Sequence, residues 1–260
     1  MSFTIYQVDA FTDHLFGGNP AAVCPLSEWL PTATMQQLAN ENNLSETAFF
    51  VQEGEHFHIR WFTPEVEIDL AGHPTLATAF VIFNELNYEK DSIHFTYKGG
   101  NLFVHKKGDL LEMDFPSRMP KEHPHHEIAL IEGINIQPVE VLKSRDFVLV
   151  YKTEEEVLKF KPDFEWLNKL NTLGIIVTAP GKVYDFVSRF FVPNSVIGED
   201  PVTGSAHATL IPYWSKVLHK KELVAKQISK RGGILWCEDK GDRIKIAGKA
   251  VLYMKGEYFI

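Results

Sequence analysis

Apolar and polar residues alternate over residues 3–10 and again from Phe57 through Ile59 to Trp61, the period-two pattern of a strand with one buried face. Residues 47–51 and the short apolar run 21–24 add strand-like segments. Leu30 and Pro31 lead into Met35, Leu38 and Ala39, whose i, i+3, i+4 spacing predicts a helix with Pro31 in its first turn. Residues 74–86 predict a second helix, rich in Ala and Thr. Its amphipathicity is so weak that protein is expected to surround it. Residues 92–97, 102–106 and 110–115 predict an antiparallel meander punctuated by glycine turns.

Residues 116–127 hold three prolines and three histidines and predict a loop or linker. Beyond it the mixture repeats. Residues 139–142, 147–151, 174–178 and 183–192 predict strands. Thr153 and Glu156 match a capping box before a short helix, and Pro162 opens another through Phe164, Leu167 and Leu170. Residues 205–218 predict a helix in which Pro212 is expected to cause a kink or break. Residues 224–230, 234–237, 243–247 and 250–255 predict a terminal meander. Each half is several antiparallel strands plus one small-residue helix, so the class is α+β rather than a βαβ nucleotide fold.

The chain also repeats itself. Arg60-Trp61-Phe62-Thr63-Pro64 precedes an acidic loop, Gly72, His73 and the first small-residue helix. Arg189-Phe190-Phe191-Val192-Pro193 precedes Glu199, Asp200, Gly204, Ser205 and the second, through a loop three residues longer. The repeat turns a 260-residue chain into two similar halves, 1–118 and 119–260.

Bulk composition narrows the function classes. A hydrophobic content of 45% with 23% charged residues is ordinary for a globular protein with a full core. A formal net charge of −8 argues against a nucleic-acid binder, which needs a basic surface. No apolar run approaches the ~18 residues of a membrane span, and residues 1–25 lack a signal-peptide pattern. Two cysteines, Cys24 and Cys237, form neither a disulfide framework nor a CxxC pair, which suits a cytoplasmic location.

The candidate chemistry sits at the two glycine-to-helix junctions. A helix start has unpaired N–H groups and a partial positive charge, so Gly72 and Gly204 mark places where a carboxylate or phosphate can be held. Glycine turns before ordinary helices have the same spelling. His73 at such a start should have a lowered pKa and serve as a neutral donor or acceptor. Ser205 reads equally as an N-cap, and Asp200 before Pro201 as a turn residue. Glu46 lies between Leu44 and an apolar strand, which fits either an exposed loop acid or a proton-shuttling acid of raised pKa. His123, His125 and His126 cluster without HExxH or a matching acid, and His56 and His58 share a strand face that is better read as solvated. No metal is expected at either place. GxGxxG, GxxxxGK[ST] and GxSxG are all absent.

Tyr6-Gln7-Val8-Asp9-Ala10-Phe11-Thr12, Gly18-Asn19-Pro20, Asn43-Leu44-Ser45-Glu46-Thr47, Gly72-His73-Pro74-Thr75 and residues 199–206 together resemble the PhzF-like (phenazine biosynthesis-like) isomerases of the diaminopimelate epimerase-like fold. The resemblance implies two pseudo-symmetric halves, each a mostly antiparallel barrel-like sheet around a central helix, with the active site between them. It further implies a cofactor-free homodimer acting on a small carboxylate-bearing metabolite. It assigns proton transfer to Glu46 with His73 and Asp200 assisting, and substrate binding to Asn19, Gly72, His73, Gly204 and Ser205. Related two-thiol racemases carry cysteines just before the two glycines. Here those positions are Ala71 and Thr203, so a single-base reaction is expected. The alternative is a non-catalytic small-anion-binding or regulatory protein.

Overall fold

The structure, a computed structural model, describes residues 2–123 and 127–260. The chain forms two compact units, Met1–Asp114 with Ile246–Ile260, and Phe115–Lys245. In the first, β1 (Ser2–Ala10) and β2 (Asn19–Leu26) pair antiparallel, α1 (Thr32–Asn42) crosses over, and β3 (Glu46–Glu53) runs parallel to β2. β4 (His56–Phe62) pairs antiparallel with β3, and the short β5 (Glu67–Ile68) folds back on β4. α2 (Gly72–Asn84) then crosses over to β6 (Ser92–Tyr97), parallel to β4, and β7 (Gly100–Lys107) and β8 (Leu110–Pro116) complete the expected meander.

The second unit contains β9 (Lys121–Glu122), α3 (Ile128–Glu132), β10 (Glu140–Lys143) and β11 (Phe147–Val150). α4 (Glu154–Lys159) and α5 (Phe164–Leu167) lead to β12 (Ile175–Pro180), and β13 (Phe186–Val192) and β14 (Gly198–Asp200) follow. α6 (Gly204–Leu218), β15 (Glu222–Gln227) and β16 (Gly233–Asp239) come next. The pairings repeat those of the first unit in order and sense. β10 is antiparallel to β11, β11 parallel to β12, and β12 antiparallel to β13. β13 carries β14 antiparallel and β15 parallel, and β16 returns antiparallel. The parallel neighbours need crossovers, which is why a helix stands between each such pair. β17 (Arg243–Gly248) and β18 (Ala250–Phe259) end the chain.

Four readings from sequence change here. The boundary at 118/119 moves to Asp114/Phe115, and residues 246–260 return to the first unit. The reason is a long-range ladder: β18 pairs antiparallel with β1 from Ser2↔Phe259 to Ala10↔Ala250, so the last strand is no part of a terminal meander. The 116–127 linker contains β9, which pairs with β10. Pro162 forms an isolated bridge with Ile134, and α5 starts after it with an Asp163 side-chain cap. Finally, α6 runs unbroken through Pro212. Proline has no N–H for the carbonyl four residues back. That carbonyl, on Ala208, instead accepts the backbone N–H of Arg118 at 2.9 Å and so stays paired.

Two of the crossover helices, α2 and α6, are buried nearly all round. α2 buries every residue from His73 to Ala79 as well as Val81, Ile82 and Phe83, against β1, β2, β3 and β18. α6 buries Ala206 through Ser215. In each unit one arginine ties together the hairpin that leads into this helix. Arg60 Nε and Nη2 donate to the two Glu67 carboxylate oxygens, both at 2.7 Å, and Nη2 also reaches Thr32 Oγ1 at the start of α1. Arg189 Nε and Nη2 donate to Glu199 at 2.7 and 2.9 Å, and Nη1 donates to the Val157 and Phe160 carbonyls at the end of α4. The guanidinium of Arg60 lies over Phe62, and that of Arg189 over Phe191.

Solvent exposure separates the two forks. The Arg189 and Glu199 side chains are 14% and 26% exposed, against 22% and 36% for Arg60 and Glu67. Screening therefore weakens the first-unit pair more. Arg189→Gln is expected to cost about 2 kcal/mol and Arg60→Gln about 1 kcal/mol of stability, read from urea unfolding midpoints. A larger loss for Arg60→Gln would contradict the ranking.

Candidate functional site

Asn19, Glu46 and His73 are far apart in sequence and adjacent in the first unit. Asn19 opens β2 opposite Ala10. Gly18 before it adopts φ +60°, where a Cβ would lie 2.1 Å from the Ala10 carbonyl oxygen, so this entry into β2 requires glycine. Glu46 opens β3 and stands beside Ala21 in the parallel ladder, and His73 is the second residue of α2. Asn19 Nδ2 donates to His73 Nδ1 at 3.1 Å, and His73 Nε2 lies 3.0 Å from Glu46 Oε2. With Nδ1 accepting, the proton of the neutral ring sits on Nε2 and faces the Glu46 carboxylate. The two meet at ion-pair distance but off the line of a straight hydrogen bond. Asn19 and His73 are buried, whereas the Glu46 side chain keeps 16% of its surface exposed. Glu46 is thus the least buried side chain of the trio, although its Oε2 is itself buried.

In the second unit the opening of α6 is fastened by side chains. Asp200 ends β14, and its Oδ2 accepts the hydroxyl of Thr203, the N-cap residue. Gln227, buried on β15, donates to the Asp200 carbonyl at 2.7 Å and accepts the Thr203 N–H at 2.8 Å. Ser205 stands inside the first turn rather than at the cap. Its Oγ accepts from Arg145 Nη2 at 3.0 Å, and Arg145 is clamped by the buried carboxylate of Asp146 at 2.7 and 3.0 Å.

α2 and α6, like α1 and α3, have no side-chain cap and no acid in the first turn. α4 carries the full Thr153–Glu156 capping box, and α5 is capped by Asp163. The first turns of α2 and α6 thus contain no acid of their own to meet the partial positive charge of a helix start.

Comparison with known proteins gives this arrangement a context. The profile of the phenazine biosynthesis-like proteins matches residues 8–256. The chain belongs to this family. An uncharacterized isomerase of Pseudomonas aeruginosa is 48% identical over 98% of both chains. The solved structure of a PhzF-family phenazine biosynthesis protein from Enterococcus faecalis is 50% identical, covers all of both chains and superposes with a TM-score of 0.96. A hydroxyproline epimerase from Agrobacterium vitis, solved with trans-4-hydroxy-L-proline bound, is 8% identical over 98% of this chain and 92% of its own, with a TM-score of 0.60. That last likeness is one of fold alone. The fold class is α+β, sheet-dominated and epimerase-like, and relatives in the family carry the name isomerase.

Within this family member, the positions before the two motif glycines, Ala71 and Thr203, are the N-cap residues of α2 and α6 and bear no thiol. Cys24 lies in β2 and Cys237 in β16, both buried. Burial pushes the Cys24 thiol up to about 12 and the Cys237 thiol higher than its ordinary value, so both stay protonated near neutral pH. Among the described residues no group of three or more His, Cys, Asp or Glu is placed to hold a metal ion. His125 and His126 lie outside the described residues. No helix among the described residues is long and apolar enough to cross a membrane.

The structure brings Asn19, Glu46 and His73 together, and it joins Asp200 to the cap of α6 and Ser205 to Arg145. Sequence reasoning missed Gln227, Arg145 and Asp146. Each is a lone residue 20 or more positions from the motif it serves, and carries no local signal. It also missed His207. This residue is fully buried, its Nδ1 donates to the Thr203 carbonyl at 2.8 Å, and its ring packs on Phe186. Burial pushes its pKa down to about 4 against the Thr203 bond, which acts upward. The folded value lies below the unfolded one of about 6.5. Its stabilising contribution is therefore complete above that pH and is lost as pH falls toward 4. Between these limits His207 is expected to account for about 3 kcal/mol of the acid loss of stability. His207→Leu should flatten the decline in urea midpoints between pH 7 and pH 4.5. A variant that declines as steeply as the parent would show that His207 is not the titrating group.

Proposed function

We propose that the protein is an isomerase that relocates a proton on a small carboxylate-bearing metabolite, with Glu46 as its single base. The observation that carries this reading is the Glu46 carboxylate held 3.0 Å from His73 Nε2, beside a helix start with no side-chain cap. The substrate carboxylate docks on the first-turn N–H groups of α2 at Gly72 and His73. Glu46 takes a proton from the neighbouring carbon. The negative charge that builds up spreads into the substrate and is met by the helix start, whose dipoles are already oriented. Protonated Glu46 then returns the proton to another carbon of the conjugated system. His73 lies against the carboxylate on its Nε2 side, and Asn19 fixes the tautomer that puts a proton there.

Gly204 and Ser205 offer a second anion-holding helix start. Asp200 serves it by fixing Thr203, and so acts as a positioning residue rather than as a second base. Cys24 and Cys237 take no part, being buried and protonated.

Deuterium uptake tests the proposal. The protein is incubated in D₂O with a panel of small unsaturated and β-substituted carboxylates, and label is read by NMR. The parent should label or isomerise at least one of them, and Glu46→Gln should lower that rate by about 10²–10⁴-fold. Near-parental turnover by Glu46→Gln would remove Glu46 from its role. Binding without label or product across the panel would favour a non-catalytic anion-binding protein.

A further inference from the structure

Asn19 reaches His73 from the end of an irregular loop. Residues 11–18 join β1 to β2, and Phe11, Phe16 and Gly18 all hold left-handed backbone, at φ 64°, 70° and 60°. Gly18 adopts it freely. A bulky aromatic residue does not, because its Cβ crowds the following carbonyl, and it persists there only where its surroundings fix it. Burial does not fix Phe16, which is 68% exposed and meets the Tyr253 ring edge-on at 5.9 Å. Its backbone is fixed instead. The Phe16 N–H donates to Asp9 Oδ2 at 3.0 Å.

Asp9 is 2% exposed. It stands inside the sheet, with Pro20 of β2 on one side and Val251 of β18 on the other. A carboxylate withdrawn from water is costly unless hydrogen bonds replace the water, and the Phe16 N–H supplies one of them. Asn19 is the register partner of Ala10 and shares its face, toward His73 on α2. Asp9, one residue earlier on β1, points to the opposite face. An influence of Asp9 on Asn19 therefore passes through the loop backbone. The path is short, since Phe16 stands three residues before Asn19.

We infer that Asp9 is a positioning residue of the candidate site. By holding Phe16 in its left-handed conformation it fixes the last turn of the loop, and with it the Asn19 amide that donates to His73 Nδ1. A buried carboxylate on one face of the sheet thus sets the imidazole on the other. Without it Phe16 relaxes to negative φ, the turn shifts, and His73 loses the bond that settles which of its nitrogens faces Glu46. The inference rests on the isomerase reading only in giving the His73–Glu46 pair a reaction to serve.

NMR of the whole chain tests this without a substrate. The readouts are the ¹⁵N–¹⁵N coupling across the hydrogen bond from Asn19 Nδ2 to His73 Nδ1 and the solvent exchange of the Asn19 side-chain amide. The parent should show the coupling. Asp9→Ala should lose it, and its Asn19 amide should exchange about tenfold faster, the equivalent of one net hydrogen bond. Asparagine tolerates left-handed backbone. Phe16→Asn added to Asp9→Ala should therefore restore the coupling and most of the protection, a rescue that a merely structural role of Asp9 does not provide. Phe16→Pro has no N–H and a φ locked at about −65°. It makes the same break at an exposed position and serves as the test if Asp9→Ala does not fold. The inference is overturned if the parent lacks the coupling, if Asp9→Ala or Phe16→Pro keeps it with parental exchange, or if Phe16→Asn fails to restore it. The proton chemistry is read separately, by deuterium uptake with Glu46→Gln.

Discussion

In each unit, a single arginine–glutamate fork holds the hairpin from which the buried helix departs. Arg60 and Glu67 join β4 to β5, and Arg189 and Glu199 join β13 to β14. The glutamate stands five residues before the motif glycine in both units. The extra three residues of the second loop therefore fall ahead of Glu199, inside the hairpin, and leave the approach to the helix unchanged. Each arginine also reaches the helix inserted before it, through Thr32 in one unit and the α4 carbonyls in the other. Side chains from separate segments of a unit are held to one frame by a planar group with donors on three nitrogens.

The frame positions the first turn of a buried helix in each unit. α2 and α6 are crossover helices, and parallel neighbours on both sides force them through the interior. A buried helix ordinarily has its first N–H groups capped, as α4 and α5 do even at the surface. α2 and α6 lack a side-chain cap, as do α1 and α3.

Around this common frame the two units differ in chemistry. In the first, the residue after glycine is His73, and the neighbouring strands bring a carboxylate and an amide to its two nitrogens. In the second it is Ser205, served by an arginine that is itself served by a buried aspartate. One unit carries an imidazole beside a carboxylate, and the other carries a hydroxyl beside the permanent charge of a guanidinium. The repeated frame thus presents different side chains after its glycine.

Much of this was legible in the chain itself. The two-residue period located the strands, the repeat located both helix starts, and the absence of cysteine at Ala71 and Thr203 bore on the proton chemistry, because all of these are local in sequence. Asn19, Glu46 and His73 were visible as motif members. Their meeting was not, since it depends on the β2–β3 register and on α2 lying against it. The same limit hid β18 on β1, Gln227 beneath Thr203, and Arg118 at the carbonyl that Pro212 leaves open. Pro212 is the clearest case. Locally it is a helix breaker, and only a hydrogen-bond donor 94 positions away lets the helix continue. Sequence determined which elements form and which side chains they carry, because period, caps and turns act over a few residues. Tertiary structure decided which of those side chains share protons and charge, because that follows from contacts between segments whose separation along the chain has no local trace.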